Sequence, residues 1–357
     1  MRTNIFLYIF LTMLFGVLIL YSFTEVSNAG ASEEVLDASE SDTSGDTLIY
    51  FFDLRDRETY IQLTYTNNDG DPGDSFDLTA DTRMHIQIFD ISNNCNENDF
   101  FDVYTPNDTH VYNMRNIETN DGNPSGVILP NGAYGFVFAY AVEPDGSLDS
   151  SADVLIGNLR VLDDNGYEYR TNSLSEPNNN IEELDRANTA YFNFNTEGGV
   201  SWSDVIGIAF DDDEGDIREV SVSPLDNFVV LDVDIYNLNE VPFSCRDIIY
   251  SCVTPESSIY QAVLEDAAGI GSANVAAAEY GINNAIPNTK GGELLCPGNN
   301  ISDGFATLNV LGRSENDETQ LVMYVGLNNG NARGSMDSFW YQNCVDELCG
   351  PIMDEME

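Results

Sequence analysis

Along most of the chain after residue 47, apolar and polar side chains alternate with a period of two. In 58–66, Ile61, Leu63 and Tyr65 share one face while Gln62, Thr64 and Thr66 share the other. In 83–89, Met84, Ile86 and Ile88 oppose Arg83, His85 and Gln87. That alternation predicts half-buried antiparallel strands with one face in the core and one in water. The stretch 134–142 is apolar on both faces and too short for a typical helix, which predicts a central strand covered by a second sheet. Strands follow over 153–162 and 167–170, separated by Asp163-Asp164-Asn165-Gly166, a turn whose Asn-Gly supplies positive φ.

Pro177, a run of three asparagines and a Glu pair in 173–188 mark a hinge. Beyond it 191–195, 205–210, 218–222, 228–236, 305–310 and 320–327 again read as strands, with Val229, Leu231, Val233 and Ile235 as the inward row. Within 255–286, Ile259, Val263, Leu264 and Ala267 recur at helical spacing behind Ser257-Ser258, and an Ala-rich stretch follows Gly269 and Gly271. The expectation is therefore an all-β, mainly antiparallel fold of two β-sandwich-like parts, 48–172 and 189–350, with a short helical insertion over 255–286 in the second. An echo between 86–95 and 233–245, each a strand, an Asn-rich turn and a cysteine, raises a duplication beside chance.

The N-terminus changes the picture. Arg2 precedes an apolar run over 5–23 and the small-residue stretch Ala29-Gly30-Ala31, the pattern of an export signal. Its length also suits an uncleaved signal anchor, so 1–31 reads as either, with membrane contact only through 5–23 if uncleaved. Ser32 onward to residue 47 is an acidic spacer, and 351–357 an acidic tail. Both readings place the remainder outside the cell or on its surface.

The chain carries 61 acidic against 13 basic residues, a net charge of −48. Nucleic acid and anionic lipid headgroups are bound through Lys and Arg, so the charge argues against both as partners. In an exported chain the six cysteines, Cys95, Cys245, Cys252, Cys296, Cys344 and Cys349, read as disulfides, with proximity favouring Cys245 with Cys252 and Cys344 with Cys349. No C-x-x-C occurs.

Candidate chemistry is sparse. Neither His85 nor His110 stands in H-E-x-x-H, and no G-x-S-x-G elbow or phosphate loop occurs. Asn94, Asn96, Asn98 and Asp102 place side-chain oxygens at alternating positions, the order in which a tight loop wraps calcium. Asp69, Asp71, Asp74 and Asp77 form a second acidic cluster, and Asp211, Asp212, Asp213 and Asp216 a third; ordinary turns use the same residues. Asn107-Asp108-Thr109 and Asn300-Ile301-Ser302 are glycosylation triplets, at Asn107 and Asn300.

The stretches Thr105-Pro106-Asn107-Asp108-Thr109 and 130–142 resemble those of exported β-sandwich surface proteins of microbes, and the resemblance implies a surface location. Leader, spacer, aromatic strands and Asn/Asp-rich turns are display hardware. The expected function is a structural or adhesive surface protein that binds glycans, other surface proteins or its own copies, rather than an enzyme. The alternative is a secreted glycosidase-like hydrolase using paired carboxylates, which carry no signature in a single sequence.

Overall fold

The computed structural model describes residues 44–45, 47–66, 82–105, 107–142, 155–162, 168–176, 189–195, 201–211, 220–237, 239, 242–244, 248–252, 262–263, 285–289, 303–313, 319–329 and 338–342. Among them, nineteen strands form four sheets with antiparallel pairing throughout. The first ten are β1 (Ser44–Gly45), β2 (Thr47–Asp53), β3 (Glu58–Tyr65), β4 (Thr82–Asp90), β5 (Asn96–Tyr104), β6 (Thr109–Asn113), β7 (Tyr134–Val142), β8 (Leu155–Leu162), β9 (Glu168–Asn172) and β10 (Leu174–Glu176). The rest are β11 (Thr189–Asn195), β12 (Ser201–Phe210), β13 (Val229–Asn237), β14 (Pro242–Ser244), β15 (Ile248–Tyr250), β16 (Ala285–Thr289), β17 (Asp303–Arg313), β18 (Gln320–Asn329) and β19 (Ser338–Gln342).

The first sheet runs β1-β8-β3-β6, with β9 sharing the β1 side of β8. The second runs β10-β2-β7-β4-β5, the third β16-β12-β18-β19, and the fourth β11-β17-β13, whose far edge takes both β14 and β15. The second sheet is buried on both faces. Every residue of β2 is buried, and so are the last eight of β7. Tyr50 faces the first sheet, where its hydroxyl donates to the Gln62 carbonyl at 3.0 Å. Phe51, on the opposite face, stacks on Tyr324 of β18 at 3.8 Å, and Phe138 meets Phe210 of β12 at 5.0 Å. A sheet apolar on both faces needs cover on both, because a single uncovered Phe forgoes about 1.5 to 3 kcal/mol of burial. The third sheet in turn backs onto the fourth: a Cβ added at Gly207 would lie 2.9 Å from the Tyr250 ring.

The expected helical insertion is corrected. Strands β1–β10 make the first two sheets and β11–β19 the other two, and one hydrophobic cluster runs across them from Leu48 through Phe138 to Phe210, Val322 and Tyr324. Within 255–286, among the described residues, only Ala262 and Val263 have helical backbone, while Ala285 and Ile286 begin strand β16; no α-helix forms an element of the fold there. Helical spacing over so few residues, bounded by glycines, gives a helix too short to be stable by itself. The edge of β12 offers a ladder instead, and Pro287 falls where the β12–β16 register shifts, a position that requires no donor. Of the expected strand 218–222, residues 218–219 lie outside the described residues, and Ser221 forms a bridge with Asp211. Of the expected hinge, Leu174–Glu176 pair with β2 and 177–188 lie outside the described residues, as do the leader, the acidic tail and nearly all of the spacer.

Candidate functional site

The β4–β5 hairpin carries most of the chemistry. A 3-10 turn, Ile91–Asn93, leads into Asn94 and Cys95, both in left-handed backbone at φ 59° and 50°, and β5 then runs as an edge of the second sheet among the described residues. Asn96, Asn98 and Asp102 therefore lie along an extended strand. Six residues of strand span about 20 Å, whereas calcium ligands must converge on one ion at about 2.4 Å. Asp102 is moreover buried and engaged, accepting from the Tyr112 hydroxyl and the Asn120 N–H at 2.7 Å each and from the Val103 N–H at 2.8 Å. The structure does not bring Asn94, Asn96, Asn98 and Asp102 together as a cage. Among the described residues no three His, Cys, Asp or Glu side chains gather to hold a metal. Of the other two acidic clusters, only Asp211 is among the described residues.

What the hairpin does bring together is a cluster around His85. Its Nδ1 meets the buried Tyr140 hydroxyl at 2.5 Å, and its Nε2 meets the Asp99 carboxylate at 3.1 Å. Its ring stacks on Phe101 at 4.3 Å, while the Arg83 guanidinium lies 3.6 Å over the same Phe101 ring. Two groups cannot sit so close on one ring face, so Phe101 is held between His85 and Arg83. The alternation of β4 is as expected, but its polar face is only partly in water. The His85 side chain is 14% exposed and Gln87 is 4% exposed, because neighbouring Phe89 and Phe138 on that face carry the third sheet. Gln87 Oε1 and, across β7, Thr47 Oγ1 are buried without a hydrogen-bond partner.

Arg83 stands apart from the other arginines whose side chains are described. Arg55 and Arg57 hold the buried Asp53 carboxylate, the latter at 2.7 Å; Arg115 donates to the carbonyls of Leu54 and Arg57; Arg160 and Arg170 pair with Glu168. Arg83 is exposed and, among the described residues, has a ring for a neighbour and no oxygen acceptor. The edge around it concentrates exposed apolar surface: Phe101 is 40% and Val103 47% exposed.

The buried polar groups elsewhere serve the core. Tyr104 and Tyr112 join their hydroxyls at 2.8 Å above Asp102, and burial first, then each other and Asp102, push the Tyr112 phenol far above its ordinary value. Asp108 closes the β5–β6 turn, accepting from the Thr105 N–H at 2.8 Å and its hydroxyl at 2.6 Å, bonds that hold its carboxyl below the ordinary range. His110 meets the Glu118 carbonyl at 2.9 Å.

Asn107 occupies this turn, exposed and in left-handed backbone at φ 66°; Asn300 lies outside the described residues. Cys95 pairs with Cys252, with Cα atoms 5.6 Å apart, which corrects the expected pairing of Cys252 with Cys245. Proximity in sequence misled because the fold brings β15 beside the β4–β5 turn from 157 residues away. Cys245, Cys296, Cys344 and Cys349 lie outside the described residues. Tyr140 and Asp99 were invisible as partners of His85, since they stand 55 and 14 residues away and only strand pairing joins them. No protein-family model matches the chain and no curated protein matches it, so function is argued from the site itself.

Proposed function

We propose that this protein is an exported, acidic surface protein that binds and assembles rather than catalyses, with glycans, other surface proteins or its own copies as partners. The observation that carries the reading is the Arg83–Phe101–His85 stack: an exposed guanidinium, held rigid on an aromatic ring beside an edge strand, with no oxygen acceptor among the described residues. Such a group is already ordered for recognition, so binding through it costs little side-chain entropy. The buried carboxylates Asp53 and Asp102 are engaged by arginines or by hydroxyl and N–H donors, which suits scaffolding better than proton transfer. The acidic surface and the N-terminal leader support display outside the cell.

The test incubates purified protein with panels of glycans and surface proteins, and in parallel with polysaccharide, peptide and ester substrates. Retention of a partner without turnover is expected. Turnover abolished by neutralising one Asp or Glu, with the fold intact, would instead establish the hydrolase.

A further inference from the structure

The free edge of β5 is self-complementary, and we infer that it pairs with the β5 edge of a second copy about a two-fold axis at Phe100. Among the described residues β5 pairs only with β4, in unbroken register from Thr82 opposite Tyr104 to Asp90 opposite Asn96. Backbone N–H and C=O groups alternate sides along a strand. Those of Val103 point off the sheet, since its N–H donates to Asp102 Oδ1 at 2.8 Å and its carbonyl accepts from Asn120 Nδ2 at 3.2 Å. By the same alternation the N–H and C=O of Phe101 and Asp99 also point outward, and no acceptor or donor meets them among the described residues. A two-fold axis at Phe100 sets Asp99 opposite the partner's Phe101 and closes four backbone hydrogen bonds with those four groups.

Side chains decide the occupant. The outer face of β5 reads Glu97, Asp99, Phe101, Val103, an acidic half followed by an apolar half that carries Arg83. Antiparallel self-pairing lays each acidic half beside the other copy's apolar half. Arg83, on the Phe101 ring, then meets the partner's Asp99 and the partner's Glu97, while Phe101 and Val103 lose water. This one arrangement gives the Arg83 guanidinium carboxylate partners and covers Phe101 and Val103 together. Asn120 caps the edge at Val103 and Glu97 and Asp99 charge it, but from Glu97 to Phe101 it holds no proline and its register shows no bulge, and Arg83 of a second copy neutralises those charges. Net charge opposes association at low ionic strength, so the pairing belongs to salt solutions in which the Debye length is short.

This names the partner for the binding reading above. Sedimentation equilibrium of the purified protein in about 0.5 M salt is expected to show a dimer. Asp99→Pro, which removes an outward N–H and leaves the β4 ladder intact, is expected to give a monomer with an unchanged circular dichroism spectrum. Arg83→Glu is expected to weaken the dimer at least tenfold, and Arg83→Glu with Asp99→Arg to restore it. A wild-type monomer at every concentration, a dimer indifferent to Asp99→Pro, or a double variant as weak as Arg83→Glu would each overturn edge pairing. Binding without catalysis would still stand or fall by the substrate panel alone.

Discussion

Gly157 shows how closely single residues are fitted between the first and second sheets. A Cβ there would lie 2.1 Å from the Tyr50 hydroxyl and 2.7 Å from Ser173 Oγ, both buried atoms. Tyr50 cannot retreat, because its neighbours on β2 are buried on both sides of the strand. Gly157→Ala is therefore expected to lose about 1 to 3 kcal/mol to overpacking, read from urea denaturation. An unchanged midpoint would mean that the Tyr50 ring has room the structure does not show. The sequence shows the glycine but not the tyrosine it accommodates. The oxygen side chains at Asn96, Asn98 and Asp102 teach the converse. Alternate spacing of oxygens is common to a cation-wrapping loop and to one face of a strand, and only the pairing of β5 with β4 separates the two.

At the level of elements, the strands fall into two groups. Those with strong alternation or an apolar run, such as β3, β4, β7 and β8, stand within a few residues of where the pattern places them. Strands β1, β2, β5, β6, β10, β14, β15, β16 and β19 were missed: apart from the apolar β2 they are short or polar, and neighbours stabilise them more than their own propensity does. The Cys95–Cys252 bridge belongs to this scale, tying the β4–β5 turn to the end of β15. Closing so long a loop restricts the unfolded chain, so Cys252→Ser is expected to lower stability by about 2 to 5 kcal/mol. Peptide mapping of the unreduced protein checks the connectivity independently. A peptide joining Cys252 to Cys245 would refute the packing of β15 against that turn.

Across the whole molecule, burial of phenols sets the alkaline limit. Tyr50, Tyr104, Tyr112 and Tyr250 are all held above their ordinary value of about 10, chiefly by desolvation. Above that value the unfolded chain loses protons that the folded chain keeps, so the unfolded state binds fewer protons and stability falls as pH rises. Each phenol contributes a slope of about 1.4 kcal/mol per pH unit. The protein is expected to unfold steeply above about pH 10, with the tyrosinate absorbance of these residues appearing together with loss of circular dichroism. Full ionisation of every tyrosine ahead of unfolding would contradict the layered burial.

The sequence by itself determined the class of structure: alternation, turn residues and double-sided apolar runs require antiparallel sheets, since only strands place such residues on two faces. It also carried the acidic charge and the alternating face that presents Arg83, His85 and Gln87. Tertiary structure decided what those faces touch. Sheets of different halves meet because Phe51, Phe138, Phe210 and Tyr324 bury more apolar surface together than apart, and no periodicity encodes a partner that far away in the chain. The cluster of His85, Tyr140, Asp99 and Phe101, and the open edge beside it, exist only because strand pairing fixes register across such separations.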